Sequence, residues 1–250
     1  MTRAVTGDDR YGSAASVQLL LAREPVSMDE SSTLVGGLER VCGAAVHALS
    51  ASGAGVSVMS EDGPLGVAAA FDATSRSLEE MQFVVGEGPC MDAFAFRRPC
   101  LQPDLDDDLR GRWPGYTAGA LEQGTRAVFA FPLQVGGARL GVMAIYRDFP
   151  GSLRPDHLAL ALGFAEAAVT MLLDGQQQAR TDEVAGGLSE ALEYRSGVYH
   201  AQGMVMIQLR VSLAEAMVRL RAHAFAEDRR LAEVAREVVT GELCLTTNGA

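Results

Sequence analysis

The feature that most constrains the fold is a change of hydrophobic period along the chain. Upstream of about residue 175, runs with three-and-four spacing alternate with runs of period two; from Leu188 onward only helical spacing is present. A strand buries every second residue and a helix every third or fourth, so the two regions read as two domains of different class. With 250 residues and a 48% hydrophobic fraction, the chain has enough apolar material for both to fold.

Residues 1–27 show no sustained period and read as a flexible leader. Leu34, Leu38, Val41, Cys42, Ala45 and Leu49 then fall on one helix face, with Ser31 or Ser32 as candidate N-caps. Val56 and Val58 alternate with small residues ahead of the turn Glu61-Asp62-Gly63-Pro64 and a second run, Gly66 to Phe71, which predicts two antiparallel strands. A short polar helix over Ser77 to Gln82 leads to Gly86-Glu87-Gly88-Pro89-Cys90, where glycine and proline must interrupt any regular element. Met91 to Phe96 restarts a helix and Pro99 to Leu101 makes a brief strand. The acidic run Asp104 to Asp108 and the stretch around Trp113 read as an exposed loop.

Strands Ala127 to Val135 and Arg139 to Tyr146 flank Gly136-Gly137, where positive φ carries no Cβ penalty and a tight hairpin forms. His157 to Leu173 has the spacing of a long helix. This order predicts an α+β domain over residues 28–175, with helices on one face of a mostly antiparallel sheet. Residues 176–187, with Gln176-Gln177-Gln178 and Gly186-Gly187, read as a linker, and residues 188–250 as an all-α domain of three helices. Ser212-Leu213-Ala214-Glu215 is a capping box for the second of these, which places Leu213, Ala216, Met217, Leu220 and Ala224 on one face. The third turns Leu231, Val234, Ala235 and Val238 inward, with Asp228 as candidate N-cap.

The formal net charge is −11, and all 21 basic residues are arginine. So acidic a chain is a poor candidate for long nonspecific nucleic-acid tracking, which needs a basic footprint to displace counterions; any such contact must be local. It has a place to be local, because seven arginines (195, 210, 219, 221, 229, 230, 236) face four acids between residues 195 and 236. The arginine fork donates paired hydrogen bonds to phosphate and its face stacks on bases. An ordinary solvated face with a Glu215–Arg219 pair is the competing reading.

The cysteines, Cys42, Cys90, Cys100 and Cys244, have no CxxC spacing, so reduced thiols are expected. No run reaches the ~18 apolar residues that span a bilayer, and the expected location is the cytoplasm. His47, His157, His200 and His223 are too scattered to suggest a metal cluster, and no Ser/His/Asp arrangement assigns a catalytic residue.

The blocks Ala201-Gln202-Gly203-Met204-Val205-Met206, Ala216 to Ala224 and Leu231-Ala232-Glu233-Val234-Ala235 resemble the ANTAR family in order and spacing. The resemblance implies a three-helix output domain that binds tandem stem-loops of nascent RNA and promotes transcription antitermination. Many members carry Lys where this chain has Gln202, so an amide replaces a charge. The region 28–175 is similar to a GAF domain, and Gly86-Glu87-Gly88-Pro89-Cys90 resembles the corresponding segment of actinobacterial GAF–ANTAR proteins. That resemblance implies a sensor domain.

The candidate RNA-binding residues are Tyr199, His200, Gln202, Gly203, Arg219, Arg221, His223, Arg229 and Arg230. Gly203 lies inside a helix, where glycine costs roughly 0.5–1 kcal/mol relative to alanine, so a close neighbour, helix or RNA backbone, is expected to compensate. A pocket in the sensor domain would draw on Phe83, Cys90, Phe94, Phe129 and Phe131, which would serve equally as core; no cofactor is named. The expected partners are RNA, a second copy of the chain paired through His157 to Leu173, and a small-molecule effector, with no membrane. Three alternatives stay open: a protein-interaction regulator, a GAF-type redox enzyme using Cys90 and Cys100, and a DNA-binding helix-turn-helix.

Overall fold

The computed structural model describes residues 8–24, 33–61, 63–107, 111–178, 186–227 and 229–245. In chain order the elements are α1 (Asp8–Leu21), α2 (Leu34–Leu49), β1 (Gly53–Ser60), β2 (Gly63–Ala70), α3 (Ala73–Val85), α4 (Pro89–Phe96), β3 (Cys100–Gln102), α5 (Pro114–Glu122), β4 (Ala127–Val135), β5 (Ala138–Arg147), α6 (Pro155–Gln178), α7 (Gly186–Leu209), α8 (Leu213–Ala226) and α9 (Leu231–Thr240). The α+β class holds for the first region and the helical class for the second. Thr33 caps α2, its side chain accepting from the Gly36 N–H at 3.1 Å, while Ser31 and Ser32 lie outside the described residues. Asp228 also lies outside them; the N-cap of α9 is Arg230, without a side-chain cap bond.

The strands form one sheet in the order β2-β1-β5-β4-β3, antiparallel at every pairing described. The β4–β5 hairpin turns at Gly136 (φ +55°), with Val135 opposite Ala138. Helices cover both faces, not one. Phe129, Phe131 and Leu133 of β4 point to the core shared with α2 and α6, whereas Val128 and Ala130 point to a second core with α3, α4 and α5. The pleat alone separates them. The reason for two covers is visible in the central strands: β5 is buried at seven consecutive residues from Gly141 to Arg147, so neither face can be left to water.

Two further expectations change. The stretch around Trp113 is not an exposed loop. Trp113 is 2% exposed, and it precedes α5, whose Tyr116 is wholly buried. Gly115 and Gly119 weaken the local helix signal, and the N–H groups at the start of α5 are satisfied by Glu87, 28 residues back. Residues 8–21, read as leader, form α1, with Val17 and Leu21 2% and 3% exposed in the core beside α2 and α6. Their apolar patch is too short to announce a helix without that contact. α6 is long and apolar enough to cross a membrane by length and composition; here Ala161, Phe164, Ala168 and Leu172 pack into the sheet's first core.

The helical module rests against the sheet domain along two lines. α7 runs across the edge strand β2, bringing the Tyr199 hydroxyl beside Gly63, and also touches α2. An edge covered by a helix is shielded from pairing with another strand. α8 and α9 rest on α3.

Candidate nucleic-acid interface

The module closes on side chains from all three of its helices, among them Ala201 and Val205 of α7, Leu220 and Ala224 of α8, and Val234 and Val238 of α9, each wholly buried. Small residues let the helices approach closely. Ser212 accepts from the Glu215 N–H at 3.2 Å, which caps α8; the Glu215 carboxylate accepts from Arg219 at 3.0 Å, so of the expected capping box the Ser212 half is formed. Leu213, expected on the buried face, is 53% exposed.

Gln202 does not present its amide to the outside. It is 8% exposed and its Nε2 donates to the Leu213 carbonyl at 2.7 Å, which ties α7 to the start of α8. A lysine there would bury a charge, so an amide is the better occupant. His200, two residues earlier, is exposed; Tyr199 is half-buried. Gly203 is half-buried, and nothing described lies within 4 Å of where its Cβ would stand. The described residues therefore do not supply the close neighbour expected for it.

The arginines divide into two groups. Arg219 faces outward and pairs with Glu215 at 3.0 Å, one turn earlier on α8. Arg229 is gripped by Glu237 (Nη1–Oε2 3.0 Å) and approached by Glu227 (3.5 Å), and its hydrogen bonds hold the Glu237 carboxyl below its ordinary value. His223 lies 3.5 Å from Glu227. Arg221 and Arg230 instead turn toward the sheet domain. Arg230 Nε bonds Glu80 Oε2 of α3 at 3.0 Å, and the Arg221 guanidinium lies so close to Gly86 that a Cβ there would stand 2.7 Å from Nη1.

The divider between the domains is α3. Leu78, Glu79, Gln82 and Phe83 belong to the buried side shared with the sheet, whereas Val84 joins the core of the helical module and Glu80 pairs with Arg230. The glycine-rich segment that follows is a helix-to-helix corner. Gly86 (φ +75°) ends α3 and Gly88 (φ +140°) starts α4, a position where any Cβ would collide with Gln82. Glu87 Oε1 accepts the N–H groups of Gly115 (2.7 Å) and Tyr116 (3.4 Å). The Cys90 N–H donates to Gln82 Oε1 at 2.7 Å, and Gln82 Nε2 reaches Cys90 Sγ at 3.1 Å.

Burial decides the chemistry of that thiol. Cys90 sits in the first turn of α4, where thiolate is favoured, yet it is wholly buried, and desolvation followed by the neighbouring Glu79 carboxyl pushes its pKa well above the ordinary value. Cys100 is 9% exposed and, like Cys90, forms no disulfide among the described residues. Glu79 is itself buried, and desolvation raises its pKa, opposed by bonds from Ser57 Oγ (2.6 Å) and the Tyr146 hydroxyl (2.8 Å). The sensor-pocket candidates do not converge. Phe83, Cys90 and Phe94 lie in the second core, Phe129 and Phe131 in the first, on opposite faces of the sheet.

These features agree with what the chain is similar to. A family model for the GAF domain matches residues 32–173, and one for the ANTAR domain matches residues 187–239. No curated protein matches the chain. Among solved structures, the GAF domain from an Acinetobacter phosphoenolpyruvate-protein phosphotransferase aligns at 8% identity and TM-score 0.49, over 72% of this chain and 99% of that one. The GAF domain of the Coxiella burnetii phosphoenolpyruvate-protein phosphotransferase aligns at 14% identity and TM-score 0.48, over 69% and 98%. The free methionine-R-sulfoxide reductase from Neisseria meningitidis aligns at 15% and 0.44, over 71% and 98%. A sheet domain matched through more than half of the chain, and a helical trio matched through its core, lead to one conclusion: the chain belongs to the GAF domain family and continues into an ANTAR domain, an RNA-binding antitermination module, as a GAF–ANTAR transcription regulator.

Proposed function

We propose that this protein binds tandem stem-loops of nascent transcripts through its ANTAR domain and promotes antitermination in response to a signal received by the rest of the chain. The observation that carries this reading is the ANTAR match over residues 187–239, on a trio whose apolar side chains close inward. His200 and Arg219 supply an outward polar surface, and the open space over Gly203 leaves room for a phosphate backbone. Arg229 joins that surface once RNA competes for its carboxylate partners; Arg221, His223, Arg230 and Tyr199 contribute to the extent that the module parts from the sheet domain. Gln202 acts by holding α7 to α8. A dimer would present two modules to two adjacent hairpins.

The test is crosslinking in cells followed by sequencing of the bound RNA, then titration of the purified protein with what is recovered. Paired stem-loops ahead of terminators, bound with an affinity that falls steeply with salt as counterion release weakens, are the expected result. Absence of binding by a well-folded protein, with or without candidate effectors, rejects the assignment. Sedimentation of the same sample reads whether two copies associate.

A second reading has one observation in its favour: Ile207, Val218 and Phe225 of the module are 73%, 62% and 62% exposed. Large apolar side chains in water suit a protein partner, whose binding would lack the steep salt dependence.

A further inference from the structure

A cleft of about 710 Å³ opens between α3, α5 and the turn from α8 to α9. We propose that it is a binding site for an organic cation with an apolar body, and that its occupant clamps the ANTAR domain onto the GAF domain. Its volume is within the roughly 300–1,000 Å³ range of small-molecule sites, which favour domain boundaries.

The floor is apolar. Met81, Val84 and Val85 project from one side of α3, Ala118 from α5, and Phe225 from the end of α8. Phe225 is 62% exposed, an unfavourable state for a ring that a ligand at the cleft mouth would relieve. The charge around the floor selects the ligand. Both arginines at the cleft are already matched by carboxylates, Arg230 by Glu80 and Arg229 by Glu237 and Glu227. Glu122, one turn beyond Ala118, has no ion pair among the described residues. An anion would have to displace an existing carboxylate. An ammonium group finds Glu122 uncompensated in a cleft that the Phe225 ring also lines.

Because the walls come from both domains, the ligand binds only the docked arrangement and stabilises it by mass action. Arg221 and Arg230 are turned to α3 in that arrangement, so occupancy opposes RNA binding; this last step rests on the reading under Proposed function.

The experiment uses the full chain and dansylcadaverine, a naphthalene sulfonamide with a pentylammonium tail. Saturable one-to-one binding with a blue-shifted emission is expected. Ala118→Trp, at an exposed position of α5, should fill the cleft and abolish it while leaving the thermal melt intact. Glu122→Gln should weaken it about two- to fivefold, the scale of an exposed ion pair. The anionic 1-anilinonaphthalene-8-sulfonate should give no signal that Ala118→Trp removes. Non-saturable dansylcadaverine binding, or binding that Ala118→Trp leaves unchanged, overturns the site. With RNA recovered by crosslinking, saturating dansylcadaverine should raise the RNA Kd; an unchanged Kd overturns the clamp. No RNA binding in either condition, beside dye binding that Ala118→Trp abolishes, overturns the antitermination reading and leaves the site standing.

Discussion

The sheet domain and the helical module are stabilised by different side chains. The sheet domain buries large rings, Trp113, Tyr116, Phe83 and Phe129 among them, in cores on both faces of a sheet. The module closes on alanine, valine and leucine, and one buried member of its core, Val84, is supplied by α3 of the other domain. A core of small residues buries less area per residue, and hydrophobic stabilisation follows area. The comparison teaches that the module's core is completed by a residue of the sheet domain, so the module is expected to draw part of its stability from being docked. Docking is also what brings Arg221 beside Gly86 and Arg230 to Glu80 of α3.

Adjacent residues on α3 offer the sharpest way to break that comparison. Phe83→Ala, on the side shared with the sheet, should cost about 3–5 kcal/mol in denaturant unfolding. Its effect belongs to the GAF domain, and equal loss of amide protection in α9 would contradict the division.

The next largest effect is a pH dependence. Burial raises the Glu79 pKa above its ordinary value of 4.5, so the folded chain keeps a proton that the unfolded chain releases. The stability from this group is complete below that value and is lost as pH rises toward the folded pKa, with a slope of up to about 1.4 kcal/mol per pH unit. Glu79→Gln should flatten this part of the curve of Tm against pH. An unchanged slope would mean that Glu79 is ionised in the fold.

Val84→Ala, one residue from Phe83, should cost about 1.5 kcal/mol, read as faster hydrogen exchange in α8 and α9 with the sheet unaffected. Tyr116→Phe should stabilise the GAF domain by about 1 kcal/mol, because the Tyr116 hydroxyl is buried with no hydrogen-bond partner among the described residues. A lower Tm would reveal a partner for it. The smallest effect is expected at Glu80→Gln, since the Glu80–Arg230 pair is half-exposed on its arginine side. A change of at most about 1 kcal/mol that vanishes at high salt would fit.

Elements with a local signal were legible in advance. The Gly136-Gly137 hairpin, the Ser212 cap and the inward face Leu231, Val234, Ala235 and Val238 stand where their spacing placed them. Elements completed from a distance were not. α5 depends on Glu87 for its cap and on burial of Trp113 and Tyr116 for its position, and α1 shows itself only through Val17 and Leu21 packing on α2 and α6. The candidate interface divides the same way. Positions on the outer face of the helical trio followed from period, but the burial of Gln202 and the turning of Arg221 and Arg230 toward α3 depend on elements remote in sequence.

Period and turn chemistry act between neighbours, so reading along the chain was enough to find two regions, their classes, the main hairpin and the buried faces of α2 and α9. Which face of β4 meets which helix, whether a first-turn cysteine is ionised and which arginines face water depend on desolvation and on partners tens of residues away. Those energies exist only once the chain has closed on itself, and they decided that the buried Cys90 thiol has its pKa raised, that both faces of the sheet are covered, and that α3 serves two cores at once.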